Sequence, residues 1–497
     1  MNPDNLPDRL YTAASVREMD RVAIEDFGIP AITLMRRAGV ACVDILTAQW
    51  PKAKHVWIMC GSGNNAGDGF IIAGKLAERH YQVTVRMLGD MGKASPAAQL
   101  AYHYCLQSGI VPELFDPLEI IAADVMVDAL LGTGLAGDVR PAYQQAINLI
   151  NTADLPILAV DIPSGLCADT GNRLGGAIEA DVTVTFIGFK RGLLTMDGPD
   201  CAGEIFFDPL GLGDEVLQQV VVDTGKLRLN RLLTGLPARR RNSHKNAYGH
   251  VLIVGGDRGM GGAVLMSAEA ALRAGAGLVT VATHPAHPLA LLTRCPEVMA
   301  RGIEASSELD ALVARATVIV LGPGLGQSEW SKMVFRHLIA HPGLMVLDAD
   351  GLNLLAKQPV YKDNWVLTPH PGEAGRLLGE AEIETDRFET VRRIQGQYGG
   401  VVVLKGVGSL VADASNIDLC PYGNPGMATA GMGDVLSGVI AALLAQGLST
   451  GDATRLAVAV HAVAGDRVAE DGQRGLLATD TIPWIRRLLN PASAPKP

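Results

Sequence analysis

Short apolar segments alternate with stretches of helical periodicity along most of the chain, and this alternation limits the fold more than any other feature. Each apolar segment has the length of a strand that is buried on both faces, which is typical of parallel sheets covered by helices. In the first part of the chain the predicted strands are residues 56–60, 83–88, 125–129, 157–160 and 182–187. We therefore predict a mostly parallel, doubly wound α/β sheet there.

The same alternation begins again after a polar, arginine-rich segment near residue 230, in which residues 239–241 are interpreted as a solvated linker. The second series of predicted strands comprises HVLIVGG and residues 278–282, 318–321, 344–347, 365–367 and 401–404. A chain of 497 residues is too long for a single hydrophobic core. We therefore predict two doubly wound domains, residues 1–225 and 226–497, with a disordered tail, NPASAPKP.

Local signals predict the ends of two helices in the first domain. Ser15 followed by Glu18 matches a capping box, and Gly28 with Pro30 is expected to end the helix that it starts. GSGNNAGDG, residues 61–69, is predicted to be a loop that precedes a helix over 70–79.

Charge and cysteine usage exclude several classes of function. The net charge of −10 provides no basic surface for nucleic acid. No run of about 18 uncharged apolar residues is present, so no membrane span is predicted. The amino-terminal segment lacks an apolar signal core, and we expect a cytoplasmic protein. Seven cysteines are scattered without a C-x-x-C pair, so we expect reduced core residues rather than disulfides or a zinc site.

Polar residues follow three of the predicted strands in the first half. Ligands bind at the carboxyl ends of strands in α/β sheets, and here those ends carry GSGNNAGDG, Asp128 with GTGLAGD, and Asp161 with IPSG. The side-chain oxygens of Asn64, Asn65 and Asp68 suit hydroxyl and amide recognition or a hard cation. The alternative is that these segments are polar loops that only turn the chain.

The first of these loops also contains a dinucleotide pattern. Gly61, Gly63 and Ala66 match G-x-G-x-x-A. That pattern expects a ribose-binding acid about 20 residues further on, but Tyr81 occupies the position. The sequence therefore excludes a standard dehydrogenase site.

The stretch NPGMATAGMGDVLSGVIAALLAQG, residues 424–447, places small residues and one acid before an apolar helix predicted over 431–446. Ala430, Gly431 and Gly433 leave the first amides unshielded, which makes an anion site that admits phosphate. A carboxylate is repelled by phosphate, so Asp434 is interpreted as a base that takes a proton from an attacking hydroxyl. The alternative is that this acid only stabilises the helix dipole.

Further motifs in the second half place polar groups near strand ends. They are HKNAYG with Lys245 and Gly249, GPGLG at 322–326, DADGLN at 348–353, LTPHPGEA with His370 and Glu373, and KG at 405–406. Several have a structural alternative: a buried histidine for His370, a helix-start acid for Glu373, and a simple turn for DADGLN.

NNAGDG, DALLGTGL and VDIPSG, in that order, resemble the epimerase domain of the NAD(P)H-hydrate repair enzymes, and the second half resembles their dehydratase domain. LTPHPGEA is similar to the TPNxxE element of ribokinase-like vitamin kinases, with His370 at the asparagine position, and AGMGD also fits that group. The resemblance covers nearly the whole chain. It implies a Rossmann-like epimerase domain followed by a ribokinase-like domain.

By this resemblance the first domain interconverts the R and S forms of NADH and NADPH that carry water on C6 of the nicotinamide ring. Asp161 would face the reacting centre, with Asp68 as a candidate partner acid. The residues implied to bind the hydrate are Asn64, Asn65, Ala66, Gly67, Asp68, Gly132, Thr133, Gly134, Leu135, Ala136, Gly137 and Asp138. Asn65, Asp128 and Ser164 would bind a potassium ion.

In the second domain the resemblance implies that ADP or ATP phosphorylates the C6 hydroxyl of the S form, after which phosphate leaves. Asp434 would be the catalytic base, and Mg²⁺ would bind the phosphates near Glu373. The residues implied to bind the nucleotide are Lys405, Gly406, Val407, Gly408, Ser409, Ala430, Gly431 and Gly433. Ala263, Gly324 and His370 would contact the hydrate.

We also expect a homo-oligomer whose ligands are hydrated NADH and NADPH with ADP or ATP, and no nucleic-acid or membrane partner. Two other functions remain open from the sequence. One is a ribokinase-like small-molecule kinase, fused to a nucleotide-binding module, that makes a stable phosphate ester. In the other, the first half is a nucleotide-sensing or partner-binding module without chemistry.

Overall fold

A computed structural model describes residues 3–222, 224–380 and 386–490 of the chain. The chain divides into two compact units, Met1–Gly225 and Lys226–Pro497. Residues 491–497 of the tail predicted to be disordered lie outside the described residues.

The first unit is a parallel sheet covered by helices. Its strands are β1 (Arg9–Leu10), β2 (His55–Cys60), β3 (Gln82–Met87), β4 (Glu113–Leu114), β5 (Val125–Ala129), β6 (Ile157–Val160), β7 (Val182–Phe186) and β8 (Glu204–Asp208), and β9 (Thr224–Lys226) follows. Its helices are α1 (Ala13–Arg21), α2 (Ala31–Gln49), α3 (Asn64–Glu78), α4 (Pro96–Gln107), α5 (Pro141–Asn151), α6 (Gly198–Ala202) and α7 (Asp214–Leu217). The sheet order is β4-β3-β2-β5-β6-β7-β8, and its neighbouring strands are parallel. The strand order reverses between β2 and β5, where Met59 is in register with Asp128.

Two local predictions in this unit are wrong. Thr12, not Ser15, caps α1, and its Oγ1 accepts a hydrogen bond from Ser15 N at 3.1 Å. The helix α3 begins at Asn64, inside the predicted loop. Gly63 is the N-cap of this helix and has an extended backbone. Glycine can occupy an N-cap although it has no side chain that accepts a hydrogen bond, and the helical dihedral angles begin at the next residue. Consequently the polar residues 64–68 lie in the first turns of a helix.

The second unit is a larger sheet of the same class. Its strands are β10 (His250–Val254), β11 (Leu278–Thr283), β12 (Met299–Gly302), β13 (Val318–Leu321), β14 (Leu344–Leu347), β15 (Trp365–Leu367), β16 (Val401–Leu404), β17 (Leu410–Ala412) and β18 (Ile417–Leu419). The order is β12-β11-β10-β13-β14-β15-β16-β17-β18. Neighbouring strands are parallel from β12 to β16 and antiparallel from β16 to β18.

Eleven helices are described in the second unit. They are α8 (Leu229–Leu233), α9 (Gly261–Arg273), α10 (Pro288–Arg294), α11 (Asp310–Val313), α12 (Glu329–Leu338), α13 (Asp350–Lys357), α14 (Pro371–Leu378), α15 (Arg387–Tyr398), α16 (Met432–Ala445), α17 (Thr450–Ala469) and α18 (Ala478–Leu488). The helix α16 is buried nearly all round rather than on one face, because it packs against α9, α17 and the sheet. Its apolar sequence therefore reflects a central position in the core.

The cysteines and the helix lengths agree with the composition. All seven cysteines are free, and six of them are buried while Cys167 is partly buried. Within the described ranges, no helix combines the length and the apolar character needed to cross a bilayer.

Candidate active sites

The loops that follow β2, β5 and β6 meet at the carboxyl edge of the first sheet, beside the reversal of strand order. A cavity of about 860 Å³ opens there, at the position where doubly wound sheets bind their ligands. The predicted site residues that line it are Asn64, Asn65, Asp68, Gly132, Thr133, Gly134, Leu135, Ala136, Asp138 and Asp161.

Three predicted substrate residues do not line this cavity. Ala66 is fully buried, and a side chain at Gly67 would meet Met35 Sδ at 2.5 Å. Both positions therefore pack α3 against its neighbours. Gly137 is exposed and has a φ of 71°, so it serves the turn of its loop.

The three residues predicted to bind potassium form one buried group around Leu131. Ser164 Oγ donates to Asp128 Oδ1 at 2.6 Å, and Ser164 N donates to Asp128 Oδ2 at 2.7 Å. Leu131 N donates to Ser164 Oγ at 2.8 Å, and Asn65 Nδ2 donates to Leu131 O at 3.0 Å. Burial raises the pKa of Asp128 to about 6.

The oxygen atoms of this group fit a cation. Asn65 Oδ1 is buried and has no hydrogen-bond partner, which is unusual for a native buried polar atom. No three His, Cys, Asp or Glu side chains come together as a metal group in the described parts of the chain. The available ligands are therefore amide, hydroxyl and carboxylate oxygens, which suit a hard monovalent or divalent ion rather than zinc.

Asp161 follows β6 with a φ of 68°, a conformation that residues other than glycine rarely adopt. Lys190 Nζ donates to Asp161 Oδ1. Lys190 is 1% exposed. This lysine was not predicted, although it follows the predicted strand 182–187 and the strand-end rule that selected Asp161 applies to it as well.

Two further carboxyl groups line the same cavity, Asp20 from α1 and Asp68 from α3. Burial raises the pKa of Asp20 to about 6. Burial, followed by the negative charge of Asp161, raises the pKa of Asp68 well above its usual range. The cavity therefore combines two carboxyl groups that bind their protons more tightly than usual with an ion-paired carboxylate. Asp20 was missed because an acid on an amphipathic helix gives no sign, in sequence, of facing a cavity.

In the second unit, the start of α16 has the features predicted for phosphate binding. Gly431 is its N-cap with a φ of 92°, and no side chain caps the helix. The first amides are therefore left to solvent or a ligand. Asp434 lies in the first turn. Ala430, Gly431 and Gly433 thus surround the predicted base.

The helices α9 and α16 run parallel and in close contact. Ser267 Oγ lies 3.3 Å from Ser437 Oγ, and Gln446 Nε2 donates to Ala274 O at 3.1 Å. A Cβ at Gly438 would lie 2.1 Å from the carbonyl oxygen of Ser267. Because the helices are parallel, their amino-terminal ends lie at the same edge of the unit.

Ala263 and Gly324 join this edge. Ala263 is in the first turn of α9, and a Cβ at Gly324, whose φ is 55°, would lie 3.0 Å from Ala263 Cβ. By contrast, HKNAYG lies at the opposite end of α16, where a Cβ at Gly249 would meet Ala445 O at 2.3 Å. That motif therefore serves packing.

A buried network lies beside Asp434. Lys405 Nζ donates to Asp348 Oδ1 at 2.9 Å, and Thr368 Oγ1 donates to the same oxygen at 2.7 Å. Glu373 Oε2 lies 3.8 Å from Lys405 Nζ. Burial, and then the negative charge of Asp348, raises the pKa of Asp434 to about 7. DADGLN is therefore more than a turn, because its first aspartate pairs with the lysine of KG.

His370 performs the structural task of an asparagine. It is the N-cap of α14, where its Nδ1 accepts hydrogen bonds from Gly372 N at 3.0 Å and Glu373 N at 3.4 Å. In return, His370 N donates to Glu373 Oε2 at 2.8 Å. Burial lowers the pKa of His370, so the neutral ring keeps Nδ1 as an acceptor. The other ring nitrogen, Nε2, can contact either the Glu373 carboxylate or a ligand.

The loop KGVGS, residues 405–409, connects β16 with β17 and is held by Arg387. This guanidinium donates to Leu404 O at 3.1 Å and Gly408 O at 3.1 Å, and also to Val407 O. Arg387 is only 3% exposed, and burial lowers its pKa to about 10. Val407 is 56% exposed and presents an apolar surface at the loop. Arg387 was not predicted, since its carbonyl partners become visible only in the folded chain.

Comparison with known proteins agrees with this division. Residues 31–192 match the family described as YjeF-related protein N-terminus, and residues 251–487 match the NAD(P)H-hydrate dehydratase family. The chain is 47% identical over 486 residues to the bifunctional NAD(P)H-hydrate repair enzyme Nnr of Coxiella burnetii, covering 97% of this chain and 99% of that protein. The chain belongs to the bifunctional NAD(P)H-hydrate repair enzymes.

A second bifunctional NAD(P)H-hydrate repair enzyme, Nnr of Escherichia coli, is 42% identical over 495 residues, which are 99% of this chain and 96% of that protein. A ribokinase-like superfamily protein of Enterococcus faecalis is 33% identical, with a TM-score of 0.50, and covers 53% of this chain and 94% of that chain. The predicted fold class is confirmed: both sheets are largely parallel, and the second unit of this repair enzyme is ribokinase-like.

Proposed function

We propose that residues 1–225 interconvert the R and S hydrates of NADH and NADPH, and that residues 226–497 dehydrate the S form with ADP or ATP as phosphoryl donor. One observation carries the proposal: Asp434 lies at an uncapped helix start beside the buried Lys405–Asp348 pair. An acid near its own pKa, next to free amides, suits deprotonation of a hydroxyl that attacks phosphorus.

In the dehydratase step, Asp434 takes the proton of the C6 hydroxyl while that oxygen attacks the terminal phosphorus of the nucleotide. The bond from phosphorus to the leaving nucleotide oxygen breaks. The lone pair of the ring nitrogen then expels phosphate from C6, and loss of a ring proton restores NADH or NADPH. Phosphate is a far better leaving group than hydroxide, so phosphorylation followed by loss of phosphate replaces the direct loss of hydroxide from C6.

The residues of the second unit divide this work. The amides of Ala430, Gly431 and Gly433 would bind the transferring phosphoryl oxygens. KGVGS would hold the nucleotide, with Val407 against its base. His370, Ala263 and Gly324 would contact the hydrate. Mg²⁺, when bound, would neutralise charge on the phosphates. Glu373, whose carboxylate lies beside Lys405, would support the bound ion.

In the epimerase step, a neutral carboxyl group such as Asp68 protonates the C6 hydroxyl, the C–O bond breaks, and the nitrogen lone pair forms the C=N bond. Water then adds to the other face of C6, and Asp161 accepts its proton while the C=N electron pair returns to nitrogen. The raised pKa of Asp68 supports its role as the acid. A potassium ion, held by Asn65, Asp128 and Ser164, would fix the loop after β5.

The test uses purified full-length protein, Mg²⁺, ADP and a mixture of R and S hydrates of NADH. The return of reduced-nicotinamide absorbance should account for both epimers. Asp434→Asn should stop it, and Asp161→Asn should leave the R form to react only at the rate of its spontaneous epimerisation. Recovery of a stable phosphate ester would instead support the ordinary kinase, and the proposal would then be wrong. ADP or ATP preference, a homo-oligomeric state and a cytoplasmic location stay predictions.

A further inference from the structure

The hydrogen bonds of Asp161 are distributed unequally between its two oxygens. Oδ1 accepts from Lys190 Nζ, from Thr185 Oγ1 at 3.3 Å and from Phe186 N at 3.2 Å. For Oδ2 no hydrogen bond is present among the described residues, and this side chain is 18% exposed at the cavity wall. One oxygen is therefore fixed by the protein, while the other is free to meet a ligand.

Lys190 is arranged as a fully bonded ammonium. Its three acceptors are Asp161 Oδ1, Thr185 Oγ1 at 3.2 Å and Phe186 O at 2.9 Å. A lysine ammonium has three N–H bonds, so each one is used. A buried charge of this kind is costly unless it is paired and fully hydrogen bonded, and the site meets both conditions.

The backbone of Asp161 adds a second constraint. Its φ of 68° is in the left-handed region, and its amide donates to Val184 O at 2.7 Å. Such a conformation is unfavourable for a residue other than glycine and persists where surrounding contacts determine it. The contacts to β7 and to Lys190 therefore set the direction in which the carboxylate points.

We propose that Lys190 is a positioning residue of the epimerase centre, which holds Oδ1 of Asp161 so that Oδ2 alone exchanges protons with the hydrated dinucleotide. This inference rests on the proposed function. When water adds to C6, Oδ2 receives the proton, a C–O bond forms and the C=N electron pair returns to nitrogen. The ammonium pairs with Asp161 in a cavity that also holds the carboxyl groups of Asp20 and Asp68.

The titratable groups around this pair come from four elements. Asp20 of α1 and Asp68 of α3 line the same cavity. Cys42 of α2 and Asp208 of β8 are near enough to interact electrostatically within the same cluster. Arg17 and Arg140 also line the cavity, but the cation that donates to Asp161 is Lys190, so its removal would leave this carboxylate without its ion pair beside Asp20 and Asp68.

The decisive experiment is epimerisation by the full-length Lys190→Met variant, assayed without ADP so that the second unit is silent. We expect kcat to fall by about 100-fold or more while KM changes by less than about threefold, because the lysine acts on the base and not on the hydrate. The acidic limb of the pH–rate profile should move up by about one pH unit or more. Lys75→Met is the matched control, since Lys75 pairs with Glu78 at the surface of α3, and it should behave as the unmodified protein.

Lys190→Arg keeps the positive charge and should retain the position of the acidic limb at a reduced kcat. An unchanged kcat in Lys190→Met would overturn the inference. A loss of activity without a shift of the acidic limb of the pH–rate profile would also overturn it, because the lysine would then have only a structural role. If the Met variant does not fold, the Arg variant decides: a reduced kcat with KM changed by less than about threefold supports the inference, and an unchanged kcat overturns it. Lack of epimerisation by the unmodified protein would refute the proposed function itself, and is a separate result.

Discussion

The ammonium of Lys405 donates to Asp348 Oδ1 at 2.9 Å, and a Cβ placed on Gly433 would lie 3.1 Å from the same nitrogen. The buried ion pair therefore borders the first turn of α16, next to Asp434. Burial, and then the negative charge of Asp348, raises the pKa of Asp434 to about 7 although Lys405 acts in the opposite direction, so the site has a base that titrates close to neutral pH.

Dehydration should become faster as the pH rises through about 7. The pKa of Asp434 is raised to about 7 by burial, so below that pH the carboxyl group is protonated and cannot accept the hydroxyl proton. The measurement is kcat/KM for the purified S hydrate with ADP across this range. Asp434→Asn should abolish dehydration and leave epimerisation unchanged. A profile that is flat on both sides of neutrality would show that another group is the base.

Arg387→Lys should raise KM for the nucleotide by about tenfold or more. The guanidinium reaches several carbonyl groups of the KGVGS loop from a buried position, and a lysine cannot reproduce that planar set of donors. Arg336→Lys, an exposed substitution on α12, is the matched control. Epimerisation by the same samples should not change. A variant that binds ADP as tightly as the unmodified protein would separate the loop from the nucleotide.

Gly433→Ala should reduce dehydratase activity without lowering thermal stability. The added methyl group would approach Lys405 Nζ at 3.1 Å and cover an amide that we assign to phosphate binding, whereas alanine is favoured over glycine inside a helix by about 0.5–1 kcal/mol. Gly396→Ala is its control, because that position in α15 has open space around it. The control should gain stability at full activity. Equal activity of the two variants would contradict the assignment.

Asp20→Asn should stabilise the first unit at alkaline pH only. Burial raises the pKa of Asp20 to about 6, so the folded state holds this proton more tightly than the unfolded state. Its contribution to stability is complete at low pH and is lost as the pH rises through about 6. We expect a gain of about 1–3 kcal/mol near pH 8 and none near pH 4, measured by unfolding at each pH.

Glu25→Gln is the control for that experiment, since Glu25 is exposed and pairs with Arg21 at the surface. Its stability should follow the unmodified protein within about 0.5 kcal/mol at both pH values. If Asp20→Asn were equally stabilising at low pH, the gain would not come from titration.

The sequence predicted the central strands well and the polar contacts poorly. The strands 125–129 and 318–321 have the predicted ends, because continuous apolar runs are a signal that the local sequence carries alone. The strand β8 was not predicted, since its acidic ends and aromatic residues lack a clear buried run. The predicted start of α3 was wrong, because a glycine can occupy the N-cap of a helix without any side-chain signal in the sequence.

The sites show the same limit. Asp161 and Asp434 were selected by rules about strand ends and helix starts, which depend on neighbouring residues. Lys190 also follows a predicted strand, but its ion pair with Asp161 becomes visible only in the folded chain. Arg387 could not be selected from the sequence, because its partners are backbone carbonyl groups. His370 is intermediate: its cap to Gly372 is local, but the sequence predicted a contact with the hydrate rather than a helix cap.

Catalysis also depends on Gly438, a position that no ligand touches. Its contact with the Ser267 carbonyl sets how near the two parallel helices come, and a bulkier residue there would act as a wedge that separates Asp434 from Ala263. The geometric requirements of the site therefore reach the middle of the protein interior. Because even a methyl group there would meet a backbone carbonyl oxygen at 2.1 Å, Gly438→Ala should lower folding stability and dehydratase turnover together.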